Sequence, residues 1–336
     1  MVQSPLRDKD YFATKEGWLL SVLGDVHPKD RVWSILKYVE GPGPWRSPDG
    51  RTYSRAMTDY SVKEVLRTLD YVRSVRPDYV YHDPTVGNEV IAPPLTSIIK
   101  AFRTKDRASE LIRSRCSLPE GSLERRAVEL MEWLADRAEI PLEAFGVTGS
   151  ILLGIAHRDS DVDLVVHGEV WVKSALRTLS ECGDDKLRLG VGGEWVSQLR
   201  SQLRMTREDA ELLASRVVNK GEFEGTRFSL FGVREKPAQK HGEIRYVSKG
   251  IVETVVEIRG DLDSLYTPVV YTVEEKVFGV ERLVTYYGRL AGVLRPGDRL
   301  SIRAKLEEVR SNRGVSYQLL IGSYEGSGVE SLKFMG

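Results

Sequence analysis

Residues Gly146 to Gly168, GVTGSILLGIAHRDSDVDLVVHG, decide how the chain is read. Gly149-Ser150 is followed by ten residues, then by Asp161-Val162-Asp163, which opens the apolar run Leu164-Val165-Val166. Side chains two apart on a strand share a face, so Asp161 and Asp163 would present both carboxylates together while Val162 and Leu164 turn to a core. Two like charges at the head of a buried strand cost stability unless a cation lies between them. Two hard oxygen ligands on one rigid strand suit Mg²⁺, which prefers carboxylates plus substrate phosphates to an all-protein cage. A Gly-Ser turn just ahead of a helix offers backbone N–H groups to a phosphate. An Asp-x-Asp run can equally be an Asx-turn, so the weight falls on the combination. Ser160 precedes the acids, Gly154 breaks the short helix, and a hydrophobic strand follows.

This order of Gly-Ser, spacer, Asp-x-Asp and apolar run resembles the signature of the nucleotidyltransferase superfamily typified by DNA polymerase β. The resemblance covers roughly residues 122–235, and its specific part is Gly149 to Val166. It implies transfer of a nucleotidyl group from an NTP to a hydroxyl, with release of pyrophosphate. The attack on the α-phosphorus is in line, between two cations. Carried over to this chain, Gly149, Ser150 and Ser160 would hold the nucleotide, and Asp161 and Asp163 would hold two Mg²⁺ ions. The superfamily also places a third carboxylate on a later strand facing the pair. Alternation along Thr226-Arg227-Phe228-Ser229-Leu230-Phe231 puts Ser229 where that acid is expected. Glu222 and Glu224 lie just upstream, and Glu224 is the candidate third catalytic acid. The alternative is that both glutamates are solvated loop charges. The flanking segments resemble archaeal proteins with the same predicted activity, a likeness that names no acceptor.

The 336 residues suffice for two or three domains with cores of their own. Forty-nine basic residues balance 49 acidic ones, so no overall basic field advertises nucleic acid; any such surface is local. Cys116 and Cys182 lie far apart and form no metal knuckle or disulfide framework, which fits a reducing cytosol. The opening residues lack an apolar leader and no run reaches the length of a membrane span, so a cytoplasmic protein without a membrane partner is expected.

The expected class is α+β. A polymerase β-like palm at 106–240 is flanked by an N-terminal α+β unit at 1–105 and a small, OB-like β-barrel at 241–336. In the first segment Trp18–Leu23 and Arg31–Val39 read as strands, and Gly41-Pro42-Gly43-Pro44 as a loop. Ser61 and Glu64 have capping-box spacing ahead of a Val62, Val65, Leu66, Leu69, Val72 stripe that stops at Arg76-Pro77. Asp25, His27, His82 and Asp83 read as turn residues rather than metal ligands, and the mixed, basic stretch 101–121 as a link. Helices are expected over Ser122–Ala138, Glu169–Leu179 and from Thr206; Gly190-Val191-Gly192-Gly193 reads as a flexible loop. Five alternating runs, Ile251–Ile258, Val269–Val273, Leu283–Leu290, Leu300–Leu306 and Val315–Ile321, make the expected barrel. Tyr286, Tyr287, Tyr317 and Arg303 could line a single-strand surface or simply pack.

Three functions compete. The first is an Mg²⁺-dependent nucleotidyltransferase acting on RNA or another macromolecular hydroxyl. The second uses the same chemistry on a protein or small-molecule acceptor. The third is a nucleic-acid-binding protein whose palm has lost catalysis.

Overall fold

The computed structural model describes residues 5–335. In chain order, strands β1 (Tyr11–Thr14), β2 (Leu19–Val22), β3 (Ser34–Arg46) and β4 (Thr52–Arg55) precede helix α1 (Val62–Val75). Strands β5 (Val80–Asp83), β6 (Asn88–Ile91) and β7 (Ile98–Phe102) lead to helices α2 (Thr104–Arg113) and α3 (Leu123–Ala138). Next come β8 (Phe145–Val147), α4 (Gly149–Leu153), β9 (Val162–His167), α5 (Glu169–Glu181) and β10 (Leu187–Leu189). Helices α6 (Gly193–Leu203) and α7 (Arg207–Ser215) precede β11 (Lys220–Phe223) and β12 (Thr226–Val233). The chain closes with β13 (Ile244–Asp263), β14 (Val269–Glu274), β15 (Val280–Thr285), β16 (Arg299–Ser311), β17 (Gly314–Ile321) and β18 (Ser331–Phe334). Among the described residues no helix is long and apolar enough to cross a membrane.

The class is α+β, and the chain forms two compact units that interleave in sequence. Of the described residues, the first unit comprises 5–58, 91–189 and 218–238, and the second 59–90, 190–217 and 239–335.

The first unit has two five-stranded sheets, ordered β4-β3-β2-β1-β7 and β10-β11-β12-β9-β8. In the second sheet β9 runs parallel to β12 and antiparallel to β8. Val162, Leu164 and Val166 are at most 1% exposed on the face that carries α3 and α5. Asp163, Val165 and His167 share the other face. At its far end His167 Nε2 lies 3.0 Å from Thr104 Oγ1 at the start of α2, and burial draws the imidazole down to about 3, so it is neutral. Helix α3 starts where Ser122 Oγ accepts from the Arg125 N–H. The stretch expected as a link is helix α2, whose Ala108 and Leu111 are buried.

The two sheets are joined by a cluster in which Leu152, Leu153 and Ile155, from α4 and just after it, pack on Tyr11, Leu19, Tyr38 and Tyr53. Burying side chains of this size contributes roughly 1.5–3 kcal/mol each, enough to hold α4 against the first sheet. The expected loop at Gly41–Pro44 lies within β3 as a bulge, since Glu40 and Trp45 both pair with Tyr53. A Cβ at Gly43 would lie 1.8 Å from the Tyr53 carbonyl oxygen, so only glycine permits this approach.

In the second unit the ladder runs β13-β14-β15-β17-β16-β18, and β16 also pairs with β13. The β15–β17 pair is parallel; the other pairings are antiparallel. Leu283–Leu290, expected as one strand, ends at Thr285 and turns into a single 3₁₀ turn at Gly288–Leu290. There Tyr271 Oη donates to the Leu290 carbonyl and accepts from the Val293 N–H, so the buried tyrosine pins the turn. Helices α6 and α7 place Trp195, Leu199, Leu203, Ala210 and Leu213 in the core formed by these strands. The Gly190–Gly193 stretch therefore opens a helix, which its glycines masked in the sequence. Among the tyrosines considered for a binding surface, Tyr287 is buried and Tyr286 is 41% exposed.

Candidate active site

The turn before β9 is closed by Ser160, whose N–H donates to the His157 carbonyl and whose Oγ accepts from the His157 N–H. Ser160 is thus a turn residue whose hydroxyl is already engaged. It lines an open cleft of about 640 Å³ with Ser122, Arg126, His157, Arg158 and Arg227. The turn ends at Asp161, immediately before β9, and Asp163 lies on the strand; both are half-buried, and the charge of Asp161 acts on Asp163.

Gly149 lies directly against that pair. Its φ is +65°, and a Cβ there would meet Asp163 Oδ2 at 2.5 Å. The Thr148 N–H donates to the Asp163 carbonyl at 2.9 Å, tying the Gly-Ser turn to the acidic strand. Ser150 is buried in α4, where its carbonyl accepts from the Ile155 N–H. Gly149 and Ser150 are therefore set against Asp163, whose Oδ2 any side chain at position 149 would have to displace, with Asp161 two residues away in sequence.

Glu224 is not brought to this group. It occupies the β11–β12 turn with φ 46°, a conformation outside the strand that would have aimed it at the pair. Its carboxylate is bonded to Lys186 Nζ at 2.8 Å and Arg126 Nη1 at 2.5 Å. Lys186, followed by Arg126, holds it below the usual range for a glutamate. Glu222 pairs with Arg188 at 2.6 Å. The parallel register sets Ser229 beside Asp163, and the antiparallel register sets Lys220 beside Ser229. Lys220 Nζ donates to Ser229 Oγ at 2.8 Å, so the place of a third acid holds a hydroxyl and an ammonium.

Charges reach the pair from the first sheet as well. Burial, then the charge of Asp161, pushes Asp163 up to about 6, while Lys220, Lys37 and Arg55 pull it back. Lys37 on β3 is drawn down to about 7 by burial and then by Arg55, against the pull of Asp163 and Asp161. Arg55, at the end of β4, pairs across to Tyr38 and stacks 5.0 Å over Trp45. Lys9 Nζ and Lys220 Nζ each lie 5.4 Å from the centre of the Phe231 ring, and Lys9 also pairs with Asp8 at 3.0 Å. None of these cations follows from the Gly-Ser and Asp-x-Asp pattern. The one local signal was Lys37 itself, a lysine set in the apolar run Ser34-Ile35-Leu36-Lys37-Tyr38-Val39.

The donor set fits one magnesium ion: two carboxylates on one strand, one of them destabilised as an anion by its surroundings and so gaining from a cation. Among the described residues no three Asp, Glu, His or Cys side chains converge.

Residues 131–224 match the model of the family described as "Nucleotidyltransferase domain". Over 329 residues the chain is 25% identical to an uncharacterized protein of Methanocaldococcus jannaschii, covering 94% of this chain and 95% of that protein. No solved structure matches. With the Gly-Ser turn pressed on a paired acidic strand, residues 131–224 are a nucleotidyltransferase domain of the DNA polymerase β type.

Proposed function

We propose that this chain transfers an NMP from a magnesium-bound NTP to a hydroxyl acceptor. The observation that supports the reading is the contact of Gly149 with Asp163, which sets the Gly-Ser turn against the strand that follows Asp161 and carries Asp163. Asp161 and Asp163 hold the ion, and Gly149, Ser150 and Ser160 border the nucleotide. The bound ion would neutralise charge on the phosphates as the α–β bond breaks. The chain's own part is positioning and fixed charge, which needs little covalent chemistry from the protein. Among the described residues no third carboxylate joins the pair, and we assign the proton of the attacking hydroxyl to solvent or to the nucleotide's own phosphate.

RNA is the acceptor class we favour, with a protein or small-molecule hydroxyl as the other. The favoured class draws on our reading of the second unit's ladder, which returns from β16 to β13, as an OB-like barrel. Ser229 in place of an acid supports a second reading, a palm that binds nucleotide without turning it over.

The test is incubation with labelled NTPs, Mg²⁺ and bulk RNA, beside an Asp161→Ala/Asp163→Ala variant. Label on RNA that disappears in the variant is the expected result, and label on protein without RNA shifts the acceptor. Absence of turnover, with nucleotide still bound, leaves the second reading standing and ends the first.

A further inference from the structure

The Gly-Ser turn is held from a second side, by residues 7–10. Thr148 stands at the head of α4, where a threonine hydroxyl ordinarily accepts from an N–H of the first helical turn. Here it makes no capping bond. The residue is buried, and its Oγ1 donates instead to the Lys9 carbonyl at 2.7 Å, while its N–H donates to the Asp163 carbonyl at 2.9 Å. Thr148 thus ties the Gly-Ser turn to the acidic strand with its backbone and to the Arg7–Asp10 turn with its side chain.

The Lys9 carbonyl is presented by a turn that its surroundings fix. Lys9 has a φ of 70°, a left-handed conformation that costs a lysine free energy and persists where neighbours impose it. The neighbours are Asp8 and Asp10, both buried. Asp8 Oδ1 accepts from the Gly24 N–H at 2.8 Å, and the Asp8 N–H donates to Asp25 Oδ1 at 3.0 Å. Asp10 Oδ2 accepts from the Arg7 N–H at 3.0 Å, and its Oδ1 from the Thr104 N–H at 2.9 Å. Thr104 Oγ1 in turn meets His167 Nε2 at the far end of β9. The turn therefore reaches both ends of the acidic strand, through Thr148 at Asp163 and through Thr104 at His167.

We propose that Thr148 is a positioning residue: its hydroxyl, anchored on the Lys9 carbonyl, sets the Gly-Ser turn against Asp163 and so fixes where the nucleotide lies relative to the acidic pair. The inference rests on the nucleotidyl-transfer reading above. It adds a lever, the Arg7–Asp10 turn, from outside the residues that match the family model. Catalysis by positioning is sensitive to displacements of about 1 Å, which loss of a buried hydrogen bond at the root of the turn would release.

The test uses the full chain with Mg²⁺, an α,β-imido NTP analogue for calorimetry, and labelled NTP with bulk RNA for turnover. Thr148→Val keeps the branched shape and loses the hydroxyl. It should weaken analogue binding about 10-fold at unchanged stoichiometry and lower kcat by at least as much. Thr148→Ser retains the hydroxyl and should stay within about 3-fold of the parent. A merely structural threonine would instead lower the fraction of chain that binds and leave the dissociation constant of the remainder as it was. Asp10→Ala, which removes the turn's internal acceptor, should weaken binding too, and its loss should not add to that of Thr148→Val. Unchanged affinity in Thr148→Val, equal losses in the Val and Ser variants, or additive losses with Asp10→Ala overturn the proposal while leaving nucleotidyl transfer intact. If the unaltered protein binds the analogue and turns nothing over, the transfer reading falls and the affinities alone decide this one. If it binds no analogue, both fall.

Discussion

Asp163 in the first unit and Glu275 in the second are both carboxylates withdrawn from water, and their surroundings treat them oppositely. Burial pushes Glu275 upward, but Thr254 Oγ and the N–H groups of Phe278, Val277 and Val280 donate to it and outweigh that push, leaving it below the usual range. It staples the turn between β14 and β15. Burial and Asp161 push Asp163 up to about 6, and the nearby cations do not bring it back. A structural acid is satisfied within its own fold. Asp163 is left short of that, as a group awaiting a ligand would be.

The contrast can be broken most severely at Glu275. Glu275→Ala strips the acceptor from three backbone N–H groups and should cost about 2–4 kcal/mol, read by urea unfolding of the second unit, with nucleotide affinity unchanged. A neutral cost at Glu275 would erase the difference between the two acids.

Asp163→Asn should act in the opposite sense. A folded-state value raised from 3.8 to about 6 means that Asp163 contributes stability below pH 4 and loses it as the pH rises through 6. The amide escapes that loss, so in metal-free buffer at pH 7–8 the variant should be more stable by about 1–3 kcal/mol, and equal to the parent near pH 4. Glu275 has the opposite linkage: its support is present above its unfolded value and fades as the pH falls through the lower folded one. Paired pH titrations of stability for the two variants therefore should diverge in opposite directions.

Gly149→Ala sharpens the comparison from the backbone side. The positive φ alone costs about 1–2 kcal/mol, and the added methyl must displace Asp163 Oδ2, so triphosphate binding should fall together with thermal stability. Smallest is Glu224→Gln, which breaks partly exposed pairs with Arg126 and Lys186 and should cost under about 1 kcal/mol. Turnover that survives this substitution would keep Glu224 out of the chemistry; turnover lost would restore it as an acid of the site.

What could be read from the sequence was what short range decides. The starts of α1, α3 and α7 at Ser61, Ser122 and Thr206 were legible, because a hydroxyl three residues before the N–H it accepts from needs no tertiary context. Strand alternation, which is local, singled out Ser229, and the parallel register sets it beside Asp163. Lys37, Arg55 and Lys220 escaped because their proximity to Asp163 comes from the packing of one sheet on α4 and from pairing across distant strands. The bulge at Gly41–Pro44 was hidden for a related reason: glycine and proline signal a turn, while the pairing that bridges them lies at Tyr53.

The interleaving of the two units has a practical corollary for anyone dissecting this molecule. The backbone passes from one unit to the other five times, at 58/59, 90/91, 189/190, 217/218 and 238/239. A fragment trimmed to residues 131–224 would carry α6 and α7 away from their core and omit β12, the partner of the acidic strand. Removing everything after residue 240 would likewise orphan α1, α6 and α7. Deletion mapping of this protein will therefore report unfolding before it reports function, and point substitutions are the instrument that its threading permits.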